Sequence, residues 1–530
     1  MQKIAFTIGQ ASQIAVGPIN ADATTGSVAG NASVFAGVVI AKSGKPNTVL
    51  SINADNFKNV LGEPYRPLEG AHFESMRHVA IAVKGGNGYV VRVPLPGMKV
   101  PAINLVKKTL AGGDGEADTV TIDVTTSATL FGSDIELPEG GVFTLYVDDG
   151  HKSDNRSLSF VPVTGKAGFY TLTLKSTDSM GTVTTLEEYE VSLDPLALSD
   201  MGVSAFLHDV LENNESKIQC VLADDAMLPV DFAGFKGQAF VGGDDGDVSK
   251  LTAESYDAPI TALENSLVEY TAILTLGVYD ATVIEKLATL AKDVRVDAFG
   301  DVDPRLSATK ALEQMTALGL NGNENITLYY FPYSCRDPLG QTKVVFGLSG
   351  DAFVAKAKGV ALVADVGGWH YSPAGAQRGM LTRQNIKPLA SAGSIDRELF
   401  AKAHLNVVSS YGGGVVIDDA LTACTENNYK KYQHVVSVTN AIARSVYALG
   451  LELKHQPDGI TREGWEKGLP NLLDRYVASE ALVTPSDTSE GDQPYVVTVE
   501  KLDFDYWQIS YSLSITGVGR RTLLQPILFR

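Results

Sequence analysis

The sequence predicts a multidomain α/β and α+β protein: a mixed, largely parallel sheet core with helices, an inserted all-β, sandwich-like domain, and terminal arm strands. Three observations predict it. Between residues 271 and 331, apolar strand-like runs alternate with helix-like ones, the order that builds a parallel sheet with right-handed crossovers. Between residues 101 and 230 the pattern changes to short alternating strands separated by turns. The chain has 530 residues, more than one hydrophobic core organises, so roughly three or four packed units are expected.

Residues 1–30 alternate weakly through Ile4, Phe6, Ile8, Ile14 and Val16, then give way to the polar stretch Asn20–Ser27. This is one strand's worth of β character without a local partner. It fits a frayed terminus or an arm that adds a strand to a neighbouring molecule. In residues 31–100, Val34–Ala41 and Thr48–Ile52 are expected as strands, and a short helix runs from Asp55 to Leu61. A second helix spans Gly70–Val83, with Phe73, Met76, Val79, Ala80 and Val83 on one side. Gly85-Gly86-Asn87-Gly88 is expected to cap that helix and turn the chain into the strand Tyr89–Val93. A phosphate loop is the alternative there, but the glycines follow a helix and no G-x-x-x-x-G-K-[ST] occurs.

Residues 101–230 carry the β pattern: Thr119–Thr125, Val142–Val147, Ser157–Val163, Phe169–Leu174 and Thr182–Val191. Their spacing predicts a sandwich or small barrel inserted into the host domain. Residues 101–220 hold 19 Asp and Glu against 7 Lys and Arg, a balance of −12 in less than a quarter of the chain, so the module is expected to face solvent. The first fifty residues hold Lys3, Lys42 and Lys45 against Asp22 alone.

Residues 231–390 form the α/β core. Gly242-Gly243-Asp244-Asp245-Gly246-Asp247 is a turn; the EF-hand spacing is not met, so no metal is assigned. Thr271–Val278, Val294–Gly300 and Ile326–Phe331 are strands. Asp280–Lys292 and Ser307–Leu318 are helices capped by Asp280 and Ser307, the second stopped by Gly319. Lys343–Leu348 and the helix Asp351–Val363 are expected to extend the same layer.

In residues 391–514 a short helix, Ser394–Ala403, leads to strands Leu405–Ser410 and Gly414–Ile417, turned by Tyr411-Gly412-Gly413-Gly414. From Tyr429 to Leu453, Tyr432, Val435, Val436, Ile442, Ala443, Val446 and Leu449 recur at three and four residues, so one helix face is buried. The helix Pro470–Leu482, a linker Thr484–Gln493, and strands Tyr495–Leu502 and Tyr506–Ile515 follow. Residues 515–530 end in the apolar run Leu523–Arg530, which must pack into its own core or complete another subunit's sheet.

Three regions resemble contractile-tail sheath proteins, which jacket the tube of contractile phage tails and related injection machines. They are the element order from Trp369 to Leu453, the helix, glycine cluster and strand ending in Val91-Arg92-Val93, and the Gly242–Asp247 turn. The resemblance covers residues 31–100 and 231–530. It implies a structural subunit that polymerises as stacked hexameric rings around a tail tube and contracts without a cofactor. Its partners would be copies of itself, the tail tube protein, and the baseplate and tail terminator proteins. Its location would be the virion tail, after assembly in the bacterial host cytoplasm. It also implies terminal arm strands between subunits, carried here by Ile4, Phe6 and Ile8 at one end and Leu524, Ile527 and Phe529 at the other. A tube-facing surface is expected in the C-terminal domain, where Arg462, Lys467 and Arg475 put basic groups in an acidic chain, with Asn428–Lys431 as the second choice.

Composition narrows the partners. A net charge of −19 speaks against nucleic acid. No apolar run reaches the roughly 18 residues of a membrane span, and no leader pattern opens the chain. Cys220, Cys335 and Cys424 are too scattered for a disulfide framework or zinc site, which fits a reducing compartment. The alternative function is a hydrolase-like enzyme on a doubly wound sheet, and it lacks a motif. Gly347-Leu348-Ser349-Gly350 is one residue short of G-x-S-x-G. His370, His404 and His434 are expected to be neutral, and Asp418-Asp419 to cap a helix or be solvated.

Overall fold

Phe35–Val39 is buried at every residue, as a strand covered on both faces must be. It lies inside a seven-stranded mixed sheet ordered Leu405–Asn406, Ile326–Tyr329, Asp297–Asp301, Ala272–Leu274, Phe35–Val39, Gly88–Arg92, Val49–Ile52. All neighbours are parallel except the last pair. The computed structural model describes residues 32–110, 119–150, 155–177, 180–224, 226–229, 232–487, 489 and 491–521. Ile4, Phe6, Ile8, Leu524, Ile527 and Phe529 lie outside the described residues.

Alternation along each strand divides the core into two layers. Ala36, Val38, Ile273 and Ala298 pack with Leu263, Val283, Leu287 and Ala311 of the helices Asp257–Glu264, Ala281–Asp293 and Ala308–Ala317. Phe35, Val39, Leu274 and Phe299 pack with Met76, Val79 and Phe353 of the helices Glu74–Ala82 and Ser349–Val360. Two caps follow the sequence reading. The Asp280 carboxylate accepts from the Thr282 and Val283 amides at 2.9 and 3.2 Å, and Ser307 from the Lys310 amide.

Two local expectations are corrected. Gly85, Gly86 and Gly88 do follow a helix, but the helix ends at Val83 in a right-handed conformation and no left-handed glycine caps it. Close approach requires glycine instead: a Cβ on Gly86 would lie 1.9 Å from the Ser33 carbonyl oxygen, and one on Gly88 would strike the Phe35 ring. Lys343–Val345 does not extend the parallel layer. It pairs antiparallel with Tyr333–Arg336 in a separate three-stranded sheet, because the chain reverses at Asp337–Gly340 and returns beside the strand it has just left.

The inserted module has two four-stranded antiparallel sheets around one core that includes Phe143, Phe160, Leu172 and Phe240. Its strands run from Lys99–Leu110 to Phe235–Ala239. Sequence reasoning misses the twelve-residue strand Lys99–Leu110, in which Pro101 imitates a strand breaker. The two ends of the module meet: the Lys99 amide donates to the Asp244 carbonyl at 2.8 Å, and the Asp244 amide to that of Lys99 at 3.1 Å. Beside this junction the buried Arg92 guanidinium donates to the carbonyls of Ala41, Gly44 and Asp149 and faces the Asp245 carboxylate at 3.9 Å.

The 21-residue helix Gln433–Leu453 packs against a second helical run, Asp458–Ala478, interrupted by a π-turn at Gly464–Gly468. Pro470 sits just after that turn, where the altered register tolerates its missing N–H, so it does not begin a separate helix. The hairpin Tyr495–Lys501 and Trp507–Leu513 lays Val497, Val499, Ile509 and Tyr511 on this layer. Ile515 bridges Leu482, and the Arg520 guanidinium holds the Asp419 carboxylate.

Because Lys99 and Asp244 already touch, a short Gly/Ser linker in place of residues 100–243 should leave the α/β core folded. Circular dichroism and thermal unfolding check this; loss of the cooperative transition would show that the module is needed for the core.

Candidate functional site

Four buried polar side chains converge at the C-terminal ends of the parallel strands. Glu74 and His78 stand one turn apart on the helix Glu74–Ala82, Asp301 ends the strand Asp297–Asp301, and Ser349 opens the helix Ser349–Val360. The Ser349 hydroxyl lies 3.0 Å from His78 Nδ1, and His78 Nε2 lies 3.9 Å from Glu74 and 4.0 Å from Asp301. These are the group types of an acyl-transfer site. Their placement gives them no such use. Glu74, His78, Asp301 and Ser349 are all 0% exposed, and a Cβ on Gly347 would lie 2.2 Å from the Asp301 carboxyl carbon, so no space remains for a reacting atom.

Each group has a structural partner instead. Asp301 accepts from the Ser349 amide at 3.1 and 3.0 Å and from that of Leu348, pinning the start of the helix where its unpaired amides favour an anion. Glu74 takes the Tyr279 hydroxyl and the Arg305 guanidinium. The imidazole is left with a long approach to two carboxylates at Nε2, too far for hydrogen bonds.

A second buried network lies at the other end of the same strand. Asp297 accepts from Gln433 at 3.1 Å, from the Ser437 hydroxyl, and from Asn440 at 3.5 Å; these three residues share one face of the helix Gln433–Leu453. Lys356 donates to the carbonyls of Trp369 and Tyr371 at 2.6 and 3.1 Å. Burial pushes the Asp297 carboxyl up and Lys356 down to about 8, and each opposes the other's shift by attraction.

Of the three histidines of the sequence reading, His370 and His434 lie close enough to Lys356 to feel its charge. Burial lowers His370 to about 4 and His434 to about 3, with Lys356 adding repulsion to both. Burial also lowers His404, whose Nδ1 lies 2.8 Å from the Thr422 carbonyl. Asp419 does not cap a helix; it pairs with Arg520, and Asp418 faces Arg397 at 3.8 Å.

On the surface, Arg462, Lys467 and Arg475 each hold a carboxylate of this chain. Arg462 bonds Glu466 at 2.7 Å, Lys467 bonds Glu463 at 2.6 Å, and Arg475 bonds Asp365, ahead of Trp369. The first two pairs lie along one helical run, whereas Arg475 is tied to a different segment. Asn428 caps the turn Tyr429–Lys431, its side chain accepting the Lys430 amide at 2.9 Å. The hairpin Tyr495–Lys501/Trp507–Leu513 forms a sheet of two strands only, and neither outer edge pairs with a further strand among the described residues.

The chain is similar to solved sheath proteins. A sheath tail protein from Desulfitobacterium hafniense matches at 12% identity and a TM-score of 0.46, over 91% of this chain and 96% of that one. A sheath tail protein from Listeria innocua matches at 12% identity and a TM-score of 0.49, over 92% and 96%. A chain of the anti-feeding prophage baseplate matches at 11% identity and a TM-score of 0.48, over 99% and 100%. No family model and no curated protein matches the sequence.

The buried histidines set an acid limit. Between pH 6.5 and about 4 the unfolded chain takes up protons that folded His370 and His434 refuse, so stability falls as pH falls through this window. His434→Gln should lessen the loss between pH 7 and 4.5 by about 2 kcal/mol, measured by urea unfolding at each pH. An unchanged loss would contradict the neutral buried assignment.

Proposed function

We propose that this chain is the structural subunit of a contractile sheath, polymerising as stacked hexameric rings around a tail tube. Release of an extended arrangement into a shorter one drives the tube through a target envelope. The observation that carries this reading is the C-terminal hairpin. Two seven-residue strands whose outer edges pair with no further strand among the described residues would form an acceptor for added strands, since an edge offers unpaired N–H and C=O groups whatever its side chains. The β-prone ends of the chain, with Ile4, Phe6, Ile8, Leu524, Ile527 and Phe529, are the donors, each reaching a neighbouring subunit. Tethers let bodies rotate while the backbone pairing persists.

The partners are therefore further copies of the chain, a tube protein, and baseplate and terminator proteins, in a phage virion or related particle assembled in the bacterial cytoplasm. The tube contact is assigned to Arg462, Lys467 and Arg475. Their present carboxylate partners are exposed, and exposed pairs contribute little, so exchange for carboxylates on a tube costs little. The acidic inserted module faces outward, where a like-charged surface need not pack against its copies. No enzymatic step belongs to this role.

Deleting residues 1–20 should yield a soluble monomer with native-like circular dichroism that no longer polymerises in sedimentation velocity. Tubes of normal length from the truncated protein would refute the arm model and leave assembly to body-to-body contacts.

A further inference from the structure

The turn of the C-terminal hairpin projects the Phe504 ring into solvent, with the Lys501 ammonium over it at 5.5 Å. Phe504 is 89% exposed and Leu502 is 50% exposed, and Asp503 and Asp505 flank the ring. The turn is built to hold this shape. The Leu502 and Asp503 amides donate to the Tyr506 carbonyl at 2.9 and 3.2 Å, and the Asp503 carboxylate accepts the Phe504 amide at 2.7 Å. Neither Asp503 nor Asp505 forms an ion pair among the described residues.

Elsewhere on the chain a cleft of about 490 Å³ has the opposite character. Lys58, Lys84 and Arg336 line it, all exposed and without a carboxylate partner among the described residues. Arg336 is held only by the neutral amides of Gln384 and Gln341. The one carboxylate in the wall, Asp337, is consumed by the buried Arg77, at 3.1 and 2.7 Å. Pro338 and Leu339 supply an accessible apolar wall. Three cations without a carboxylate partner among the described residues converge on one cleft, in a chain of net charge −19.

We infer that this cleft receives the Asp503-Phe504-Asp505 turn of a second copy of the chain. Phe504 would cover Pro338 and Leu339, and the two aspartates would meet Lys58, Lys84 and Arg336. A small free anion would answer the cations and leave the apolar wall bare; the turn answers both. The volume lies within the roughly 300–1,000 Å³ of ordinary ligand clefts, room for a loop tip of a few side chains. A buried aromatic anchor ringed by complementary charge is the composition expected of an interface hot spot. Because the turn and cleft are different surfaces of one chain, they can meet head to tail from copy to copy, closing a ring or continuing as a helix. The inference rests on the reading of the chain as a self-assembling subunit.

Phe504→p-benzoylphenylalanine in the full-length protein tests it by photocrosslinking after assembly, with the linked peptides located by mass spectrometry. The expected product joins position 504 of one copy to residues 336–341 or 382–384 of another. Lys58→Glu with Lys84→Glu should cut its yield by about tenfold, through like-charge repulsion. Assembled protein that crosslinks elsewhere, or a yield that ignores the charge reversal, overturns the inference and leaves the sheath reading standing. Protein that does not self-associate overturns both.

Discussion

The strand Asp297–Asp301 carries a buried carboxylate at each end, and the architecture depends on how these two are satisfied. Both project to the same face of the sheet, with Phe299 between them in the core. Asp301 takes the amides that open the helix Ser349–Val360; Asp297 takes Gln433, Ser437 and Asn440 of the helix Gln433–Leu453. One strand thus sets the position of both helices, and the C-terminal helices and hairpin pack upon the second. A buried polar group is costly unless its hydrogen bonds are complete, and losing one partner of such a group costs roughly 1–3 kcal/mol. That penalty favours a single placement of the C-terminal layer over sliding alternatives that apolar packing alone would tolerate.

The surface follows the opposite rule. Its ion pairs, Arg462 with Glu466 and Lys467 with Glu463, are local and exposed, and the outer edges of the hairpin pair with no further strand among the described residues. Interior contacts expensive to break and surface contacts cheap to exchange suit a subunit that moves as a rigid body between two arrangements. The Ser349, His78 and carboxylate cluster belongs to the first group. Its hydrogen-bonding capacity is directed at a helix start, and its burial leaves nothing for a substrate.

What sequence reading captured and missed divides by range. Asp280 and Ser307 were legible as caps because their partners lie two and three residues away. The apolar period of Gln433–Leu453 was legible for the same reason. Asp297 and Asp301 were not, since their partners lie from 47 to 143 residues along the chain. One trace existed: Gln433, Ser437 and Asn440 interrupt a stripe that the apolar period would bury, which marks a face awaiting a polar partner. Lys343–Val345 has the composition of the parallel strands, and only its pairing, invisible to composition, places it in another sheet. The rule has an exception: Arg462 and Lys467 pair with Glu466 and Glu463 four residues away, within reach of spacing yet not paired by it, whereas Asp365 lies 110 residues from Arg475 and could not be paired with it from spacing.

The central claim is that this chain is a subunit of a tubular sheath, and negative-stain electron microscopy of the purified full-length protein tests it most directly. The account predicts rings of sixfold symmetry that stack into tubes. A preparation that stays monodisperse and monomeric at high concentration, with and without a tail tube as template, would contradict it.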